Sequence, residues 1–222
     1  MIPVPEIELA RTIIYRGFQI PCEIVDFGSW YDTVYLQNGN QRVDFFQDKT
    51  LTFPANRQKF DWEAKFDGDR QIIRANRYLE VYYLRVFPRR TNAFPRLIHD
   101  DVAKVKGQGF LTVKDDKTET IEEPLCNLMH GPDLIQDFAP GDPGFFSGAH
   151  FGQASEADVY RLLQPVVLPG GSGVTSEITF ESENDAGIDL EHYLPITLLF
   201  YGAELIPVGD KRKATGLSGA EK

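Results

Sequence analysis

The stretch Val174-Thr-Ser-Glu-Ile-Thr-Phe-Glu181 decides the fold class of this 222-residue chain. Val174, Ser176, Ile178 and Phe180 fill one set of alternate positions, and threonine or glutamate fills every position between them. A period of two residues with branched side chains is typical of a β-strand that buries one face. The stretch therefore predicts a half-buried strand.

Similar runs recur along the chain between turn residues. The 19 glycines and 14 prolines are spread over the whole length, as in sandwiches and barrels of short strands. Further strands are predicted at 12–15, 18–25, 50–53, 78–87, 166–168, 194–200 and 205–208. Gly202 marks a bulge or bend between the last two. The chain is therefore predicted to be all-β and antiparallel.

Two hairpins and up to three short helices complete this reading. Asn38-Gly39 joins 34–37 to 41–46, because Asn-Gly tolerates the positive φ angles of a type I′ turn. Lys114-Asp-Asp-Lys117 joins 110–113 to 118–121. Short helices are weakly predicted at 95–104 and at 124–130, where a proline precedes the segment. A third is predicted after Ser155–Asp158, which resembles a capping box; the alternative for this segment is that it leads into the next strand.

The length suits one β-sandwich domain at 1–208. Residues 1–11 are expected to form an N-terminal arm, and the polar, glycine-containing segment 209–222 is expected to be a flexible tail. The first residues lack the basic and apolar parts of a secretory signal. No apolar run approaches the ~18–20 residues of a membrane helix, so no transmembrane segment is predicted.

Charge and cysteine content narrow the function classes. A net charge of −10 argues against broad nucleic-acid binding by the folded body, which requires a basic face. Cys22 and Cys126 are the two cysteines, and they are interpreted as reduced core residues. This usage suits assembly in a cytosolic compartment.

A search for catalytic and metal-binding patterns finds none. The four histidines have no metal-ligand spacing. The acidic turns at 67–69 and 181–185 offer oxygens of the kind calcium binds, but solvated turns are the better interpretation. Gly170-Gly-Ser-Gly173 lacks the following helix of a nucleophile elbow and is interpreted as a flexible turn. We therefore predict no catalytic residue, no cofactor and no metal.

Two sets of residues are candidates for contacts with partners. Phe145, Phe146 and Phe151 lie in a long loop rich in glycine and proline at 137–152. They are predicted either to pack beneath that loop or to fill a pocket of a neighbouring subunit. The arginine cluster consists of Arg85, Arg89, Arg90 and Arg96. Its alternatives are a phosphate or nucleic-acid contact and salt bridges within or between subunits.

Four segments together resemble the jelly-roll coat proteins of bacteriophages. They are Val43-Asp-Phe-Phe-Gln47, Gly109–Lys114 with Glu123-Pro-Leu125 behind it, Pro165–Phe180, and Ile196–Val208. The third contains a strand that ends at a proline and leads through Pro-Gly into the alternating strand. The aromatic stretch Asn56–Phe66 has no place in this pattern.

The resemblance implies an antiparallel β-sandwich of jelly-roll type with long loops. It implies a self-assembling capsid or coat subunit of a virion, assembled in the host cytoplasm, without catalytic activity. Its partners would be copies of itself, as a trimer or larger shell, and other virion proteins. The alternative is a carbohydrate-binding module or phage adhesin on the same sandwich, on which Trp30, Tyr31 and Trp62 would be exposed to stack on sugar rings. The other interpretation of these three residues, and the favoured one, is that they lie in the core or at an interface. An enzyme on a cupin-like or glycosidase-like sandwich is a third reading.

Overall fold

The computed structural model describes residues 10–68, 70–88, 97–116, 118–129, 145–146, 160–171, 173–181 and 186–208. Two helices are present in these ranges, α1 (His99–Gln108) and α2 (Leu125–Leu128). The strands of the first half are β1 (Ala10–Tyr15), β2 (Phe18–Leu36), β3 (Arg42–Phe45), β4 (Thr50–Leu51), β5 (Arg57–Gln58), β6 (Ala64–Lys65) and β7 (Tyr78–Pro88). Those of the second half are β8 (Leu97–Ile98), β9 (Gly109–Asp115), β10 (Thr118–Pro124), β11 (Phe145–Phe146), β12 (Tyr160–Pro169), β13 (Val174–Phe180) and β14 (Leu194–Pro207).

Most of these strands form two antiparallel sheets. The larger sheet has the order β1-β2-β14-β7-β12, with the short β6 also paired to β2. The smaller sheet has the order β10-β9-β13-β3. Two further pairs, β8 with β11 and β4 with β5, stand apart from them.

The pairs of the two main sheets are nested along the chain. The innermost pair is β9 with β10, and outside it come β7 with β12, β3 with β13, and β2 with β14. Successive nested pairs alternate between the two sheets. The eight strands of these four pairs therefore form one long antiparallel hairpin, which is wrapped so that its strand pairs alternate between the two sheets. β1 is added at one edge of the larger sheet.

The core lies between the two sheets. Leu84 and Leu198 of the larger sheet and Leu111 and Ile178 of the smaller sheet are fully buried in one apolar cluster. Along β13, the four residues on the predicted inner face are buried. Side chains from both inner faces meet in one layer, as in sheets packed face to face. The predicted antiparallel β-sandwich is confirmed.

One predicted hairpin is confirmed and the other is wrong. β9 and β10 pair across a turn that is shorter than predicted, since Asp115 is already opposite Thr118. By contrast, β2 and β3 belong to different sheets. The Gly39 amide donates to the Ile188 carbonyl at 2.8 Å, and the Ile188 amide donates to the Asn40 carbonyl at 2.9 Å. The Asn-Gly turn therefore packs against a distant loop and carries the chain from one sheet to the other.

β2 is longer than the sequence indicates. The predicted runs 18–25 and 34–37 fall on one strand of 19 residues, which ends at Leu36 and has Gly28 and Ser29 in its interior. The strands predicted at 78–87 and 166–168 are confirmed within β7 and β12. The strands at 194–200 and 205–208 form one strand, β14, and its pairing with β7 shifts register at Gly202 as predicted.

The other local predictions have mixed outcomes. α2 lies within the predicted segment 124–130, and α1 begins and ends about one turn later than the predicted 95–104. The third predicted helix cannot be compared, since residues 155–159 lie outside the described ranges; a strand starts directly after them, at Tyr160. The amides of Gly170 and Gly171 donate to the carbonyls of Arg77 and Ile73, so contacts hold the first two residues of the turn predicted to be flexible. Of the predicted arm, residues 10 and 11 belong to β1, while 1–9 and the tail 209–222 are not described.

Neither helix in the described ranges has the length and apolar character needed to cross a membrane. A group of three or more histidine, cysteine or acidic residues able to hold a metal ion is likewise absent from those ranges.

Candidate functional site

Exposed apolar side chains are concentrated on one sheet. Among the described residues, eight large hydrophobic side chains are exposed. Six lie on strands of the larger sheet and a seventh directly follows β14; these are Ile14, Phe18, Val25, Phe27, Leu163, Tyr201 and Val208. The eighth, Phe60, lies in a loop. Among the residues that the structure describes, the larger sheet therefore carries most of the exposed large apolar side chains.

Four aromatic rings on this sheet contact one another, and we call them the aromatic patch: Phe27, Tyr82, Tyr83 and Tyr201. The Phe27 ring stacks on Tyr82 with centroids 5.7 Å apart and meets the edge of Tyr201 at 5.2 Å. Tyr83 lies 5.9 Å from Tyr201. Tyr201 alternates along β14 with the core residues Leu198 and Phe200, so it faces away from the main core. Tyr82 of the patch packs against a small second cluster of buried residues on the larger sheet.

Polar contacts fix one end of the aromatic patch. Arg11 forms an ion pair with Glu80 at 2.7 Å and donates from Nη1 to the Tyr82 hydroxyl at 2.8 Å. The Tyr82 hydroxyl in turn donates to Glu80 Oε2 at 2.8 Å. Burial, together with the hydrogen bond to Glu80 and the charge of that carboxylate, raises the pKa of Tyr82 to about 12. Tyr82 is therefore neutral at physiological pH, and its ring is held in one orientation.

Leu163 stands beside the aromatic patch on the edge strand β12. The pairing of β12 with β7 loses register between Arg161 and Val166, so that three extra residues bulge from β12. Leu163 lies in this bulge and is 104% exposed. Arg161 is opposite Tyr83, which places the bulge next to the patch. A bulge also prevents an edge strand from pairing with a strand of another molecule. A partner would therefore contact β12 through the Leu163 side chain and not through backbone hydrogen bonds.

The smaller sheet has a different outer surface. Glu177 of β13 is paired with Arg42 at 2.8 Å and with Lys114 at 3.3 Å, and Arg42 also contacts Asp44. None of the exposed large hydrophobic side chains among the described residues lies on β3, β9, β10 or β13. The two faces of the sandwich are therefore chemically distinct.

The predicted contact residues are only partly described. Phe145 and Phe146 form β11 and pair with Ile98 and Leu97, while their side chains and all of Phe151 lie outside the described residues. Arg85 lies on β7 with its guanidinium 4.9 Å from the centre of the Phe87 ring. Arg89, Arg90 and Arg96 are outside the described ranges.

The aromatic residues proposed for sugar stacking do not form one surface. Trp30 is buried in the core, opposite Phe200 of β14, which agrees with its interpretation as a core residue and not with the exposure that sugar stacking requires. The Tyr31 hydroxyl donates to the Asp61 carbonyl at 2.6 Å. Trp62 stacks on Phe60 with centroids 5.6 Å apart. Of the three residues proposed for sugar stacking, Trp62 is therefore the one whose ring pairs with an exposed aromatic side chain.

A second polar region lies between the second half of β2 and the turn that follows β3. Asp32 is fully buried and accepts hydrogen bonds from Lys59 Nζ at 2.5 Å and from the Phe46 amide at 2.7 Å. Phe46 has a positive φ of 59°, a conformation that costs a non-glycine residue of order 1–3 kcal/mol. Burial raises the pKa of Asp32, against the lowering effect of Lys59 and the Phe46 amide. This ion pair therefore holds a strained turn in place.

Comparison with family models, curated proteins and solved structures finds no match for this chain. A functional proposal for it therefore rests on the residues of its own fold and surface.

The cysteines differ in environment. Cys22 is buried in a small second cluster with Ile13, Ala203 and Leu205, and burial raises the pKa of its thiol. Cys126 is exposed at α2, so the interpretation of both cysteines as core residues is wrong for Cys126. Both thiols are free, as predicted.

Proposed function

We propose that this protein is a structural subunit of a virion: a self-assembling bacteriophage capsid or coat protein without catalytic activity. The proposal implies assembly in the host cytoplasm, a final location in the virion, and contacts with other virion proteins. The observation that carries it is the concentration of exposed apolar side chains on the larger sheet.

The strand order supports a jelly roll. If the eight strands of the nested hairpin are lettered B to I in chain order, the larger sheet is B-I-D-G and the smaller is C-H-E-F. A hairpin of four strand pairs wound around two sheets produces this order, and double sheets of that kind recur in viral capsid domains. Fold alone does not assign a function, so the surface has to supply the rest.

The surface supports contact with a second copy of the chain. Monomeric proteins rarely expose contiguous apolar patches larger than a few hundred Å², and permanent interfaces are enriched in aromatic residues. The aromatic patch has Leu163 projecting beside it. Each copy thus has a group of exposed aromatic rings and a projecting leucine, and the leucine of one subunit could contact the rings of another.

The net charge sets how this association responds to salt. Each copy carries a formal charge of −10, so copies repel each other at low ionic strength. Salt screens that repulsion over a Debye length of about 10 Å at 0.1 M, while burial of aromatic surface remains favourable. Association through the larger sheet should therefore strengthen as salt is added.

The test is the molar mass of the purified protein by light scattering after size exclusion, across a salt series. A trimer, hexamer or larger particle whose mass is held or increased by salt supports the proposal. A 25 kDa monomer at every concentration and salt level would contradict obligate self-assembly. A mass that falls as salt rises would point to charge-driven association and away from the larger sheet.

A further inference from the structure

A cleft of about 270 Å³ opens between the second half of β2, β3 and β4. It lies over the crossover from the larger sheet to the smaller one and includes no residue of the aromatic patch. Pockets for drug-sized ligands are about 300–1,000 Å³, so this cleft suits something smaller, the size of a single ring with polar substituents.

The cleft is lined by charges of both signs. Asp32, Asp44 and Asp48 provide carboxylates, and Arg42 and Lys59 provide cations. Because neither sign clearly dominates, a strongly charged ligand gains little from the lining as a whole. A ligand with both donors and acceptors matches such a lining better than an anion or a cation does.

Neutral polar groups and rings complete the lining. Gln37, Gln47, Thr50 and Thr52 contribute amides and hydroxyls, and Phe53 contributes an aromatic ring. The Phe53 ring is held edge-on by Tyr193 at 5.3 Å. A few placed polar groups beside an aromatic wall are typical of a small-molecule site.

Lys59 supplies the most specific feature of the cleft. Its side chain is only 5% exposed, yet it belongs to the lining. The ammonium has three hydrogens; it donates to Asp32 and lies 5.9 Å from the centre of the Phe66 ring. These two contacts fix the ammonium, and Lys59 is therefore a charged donor held in place within the lining of the cleft.

We propose that this cleft binds a neutral sugar ring. Its hydroxyls accept from Lys59 and donate to the carboxylates at the rim, while its C–H face lies against Phe53. This binding site goes beyond the assembly role proposed above and shares no residue with the surface that supports that role. The protein would therefore present a sugar site on each subunit.

The test is ligand-observed saturation-transfer NMR on the full chain with millimolar glucose, galactose, mannose and N-acetylglucosamine. Sialic acid and inorganic phosphate serve as anionic comparisons. The variant Thr52→Trp fills the cleft from an exposed lining position, and Thr118→Trp is its matched control on β10, at the opposite edge of the smaller sheet from β3. Both sites are exposed, and thermal unfolding checks that both variants fold.

We expect at least one neutral sugar to show saturation transfer. Thr52→Trp should weaken its affinity by at least about tenfold, a change of about 1.4 kcal/mol, and Thr118→Trp should leave it unchanged. Saturation transfer to the anions alone, to no sugar at all, or equally in wild type and Thr52→Trp would overturn the proposal. Molar mass is measured on the same samples, so loss of sugar binding without loss of assembly separates this proposal from the structural role.

Discussion

Gly28 and Gly202 are directly opposite each other in the ladder between β2 and β14, yet only one of them has room for a methyl group. A Cβ at Gly202 would lie 2.0 Å from the Glu80 carbonyl oxygen, a backbone atom. A Cβ at Gly28 would meet only the flexible Lys65 ammonium, at 3.6 Å. The bulge of β7 against β14 causes the difference, because it brings the β7 backbone over Gly202.

Gly202→Ala should therefore destabilise the protein, by about 2–4 kcal/mol as expected for overpacking against an immovable neighbour. Gly28→Ala, across the same ladder, should change the free energy of unfolding by less than about 1 kcal/mol. Urea unfolding of both variants measures the two values. Equal losses would mean that the close approach of Glu80 to Gly202 does not exist in solution.

The Asp32–Lys59 ion pair should be strongly coupled. Asp32→Asn leaves the Lys59 ammonium buried without its counter-charge, and Lys59→Met leaves the Asp32 carboxylate in the same position. Each change should cost about 3–5 kcal/mol. The double variant Asp32→Asn/Lys59→Met should cost less than the sum, because asparagine still offers an oxygen to the Phe46 amide and no charge remains.

A double-mutant cycle on urea unfolding gives the coupling energy of this pair. Additive losses would show that the two side chains do not interact in solution. The pair Lys104–Asp189 is a suitable comparison, since Asp189 is 86% exposed and exposed pairs contribute about 0–1 kcal/mol.

Glu63 should make stability depend on acid pH. Its carboxylate is buried and accepts from Arg57, from the Tyr35 hydroxyl and from the Phe60 amide. Burial alone would raise its pKa, but these hydrogen bonds outweigh it and lower the pKa below 4.5. A lowered folded-state pKa stabilises the fold above about pH 4.5, and that stability is lost as the pH falls through the folded-state value.

Glu63→Gln should therefore lower the melting temperature by about 10 °C at pH 7, following loss of a buried charge pair. The gap between wild type and variant should narrow as the pH falls below 4.5. Asp189→Asn, at an exposed ion pair, should change little at any pH. A gap that widens in acid would contradict the lowered pKa.

Phe27→Glu should reduce self-association. Phe27 is 52% exposed in the aromatic patch, while Phe60 is 51% exposed in the loop before β6 and stacks on Trp62, so Phe60→Glu introduces the same charge at a matched exposure. We expect Phe27→Glu to shift the molar mass towards the monomer and Phe60→Glu to leave it unchanged. If Phe60→Glu alone dissociates the protein, the contact lies on the loop and not on the larger sheet.

The two thiols should react at different rates. In the native protein, a thiol reagent should label Cys126 quickly and Cys22 only on unfolding, because Cys22 is buried and its thiol pKa is raised. Cys126→Ser should abolish the fast phase. Two fast thiols would mean that the small cluster around Cys22 opens readily.

Local patterns predicted the strands because their signals lie within a few residues. The alternation in β13, the aromatic run of β7 and the polar turn of the β9–β10 hairpin do not need distant partners. The Asn38-Gly39 hairpin failed because Ile188, about 150 residues away, takes the hydrogen bonds of that turn. A turn dipeptide indicates a change of direction but not the strand that is joined.

The aromatic patch was missed for a similar reason. A period of two separates the two faces of a strand, but it does not show which face packs against the second sheet. Tyr82 and Tyr83 are adjacent in sequence, and only the bulge opposite β14 brings both to the patch. The sugar-stacking alternative for Trp30 assumed that Gly28-Ser29 lies in a loop, whereas these residues lie inside β2 and Trp30 is in the core.

Glu23 of β2 has Ala10 opposite it on one side and Ile206 on the other. Neighbouring strands are about 4.8 Å apart, so the backbone enters the sandwich at β1 and leaves it at β14 within about 10 Å. Peptides inserted just before residue 10 or just after residue 208 would therefore emerge at one spot on each subunit. In a repeating assembly of such subunits, peptides attached at this site would be arranged with the regular spacing of the assembly. A circular permutant with new termini in a distant loop would move the attachment site of one peptide to another part of the subunit and leave the sheets unchanged.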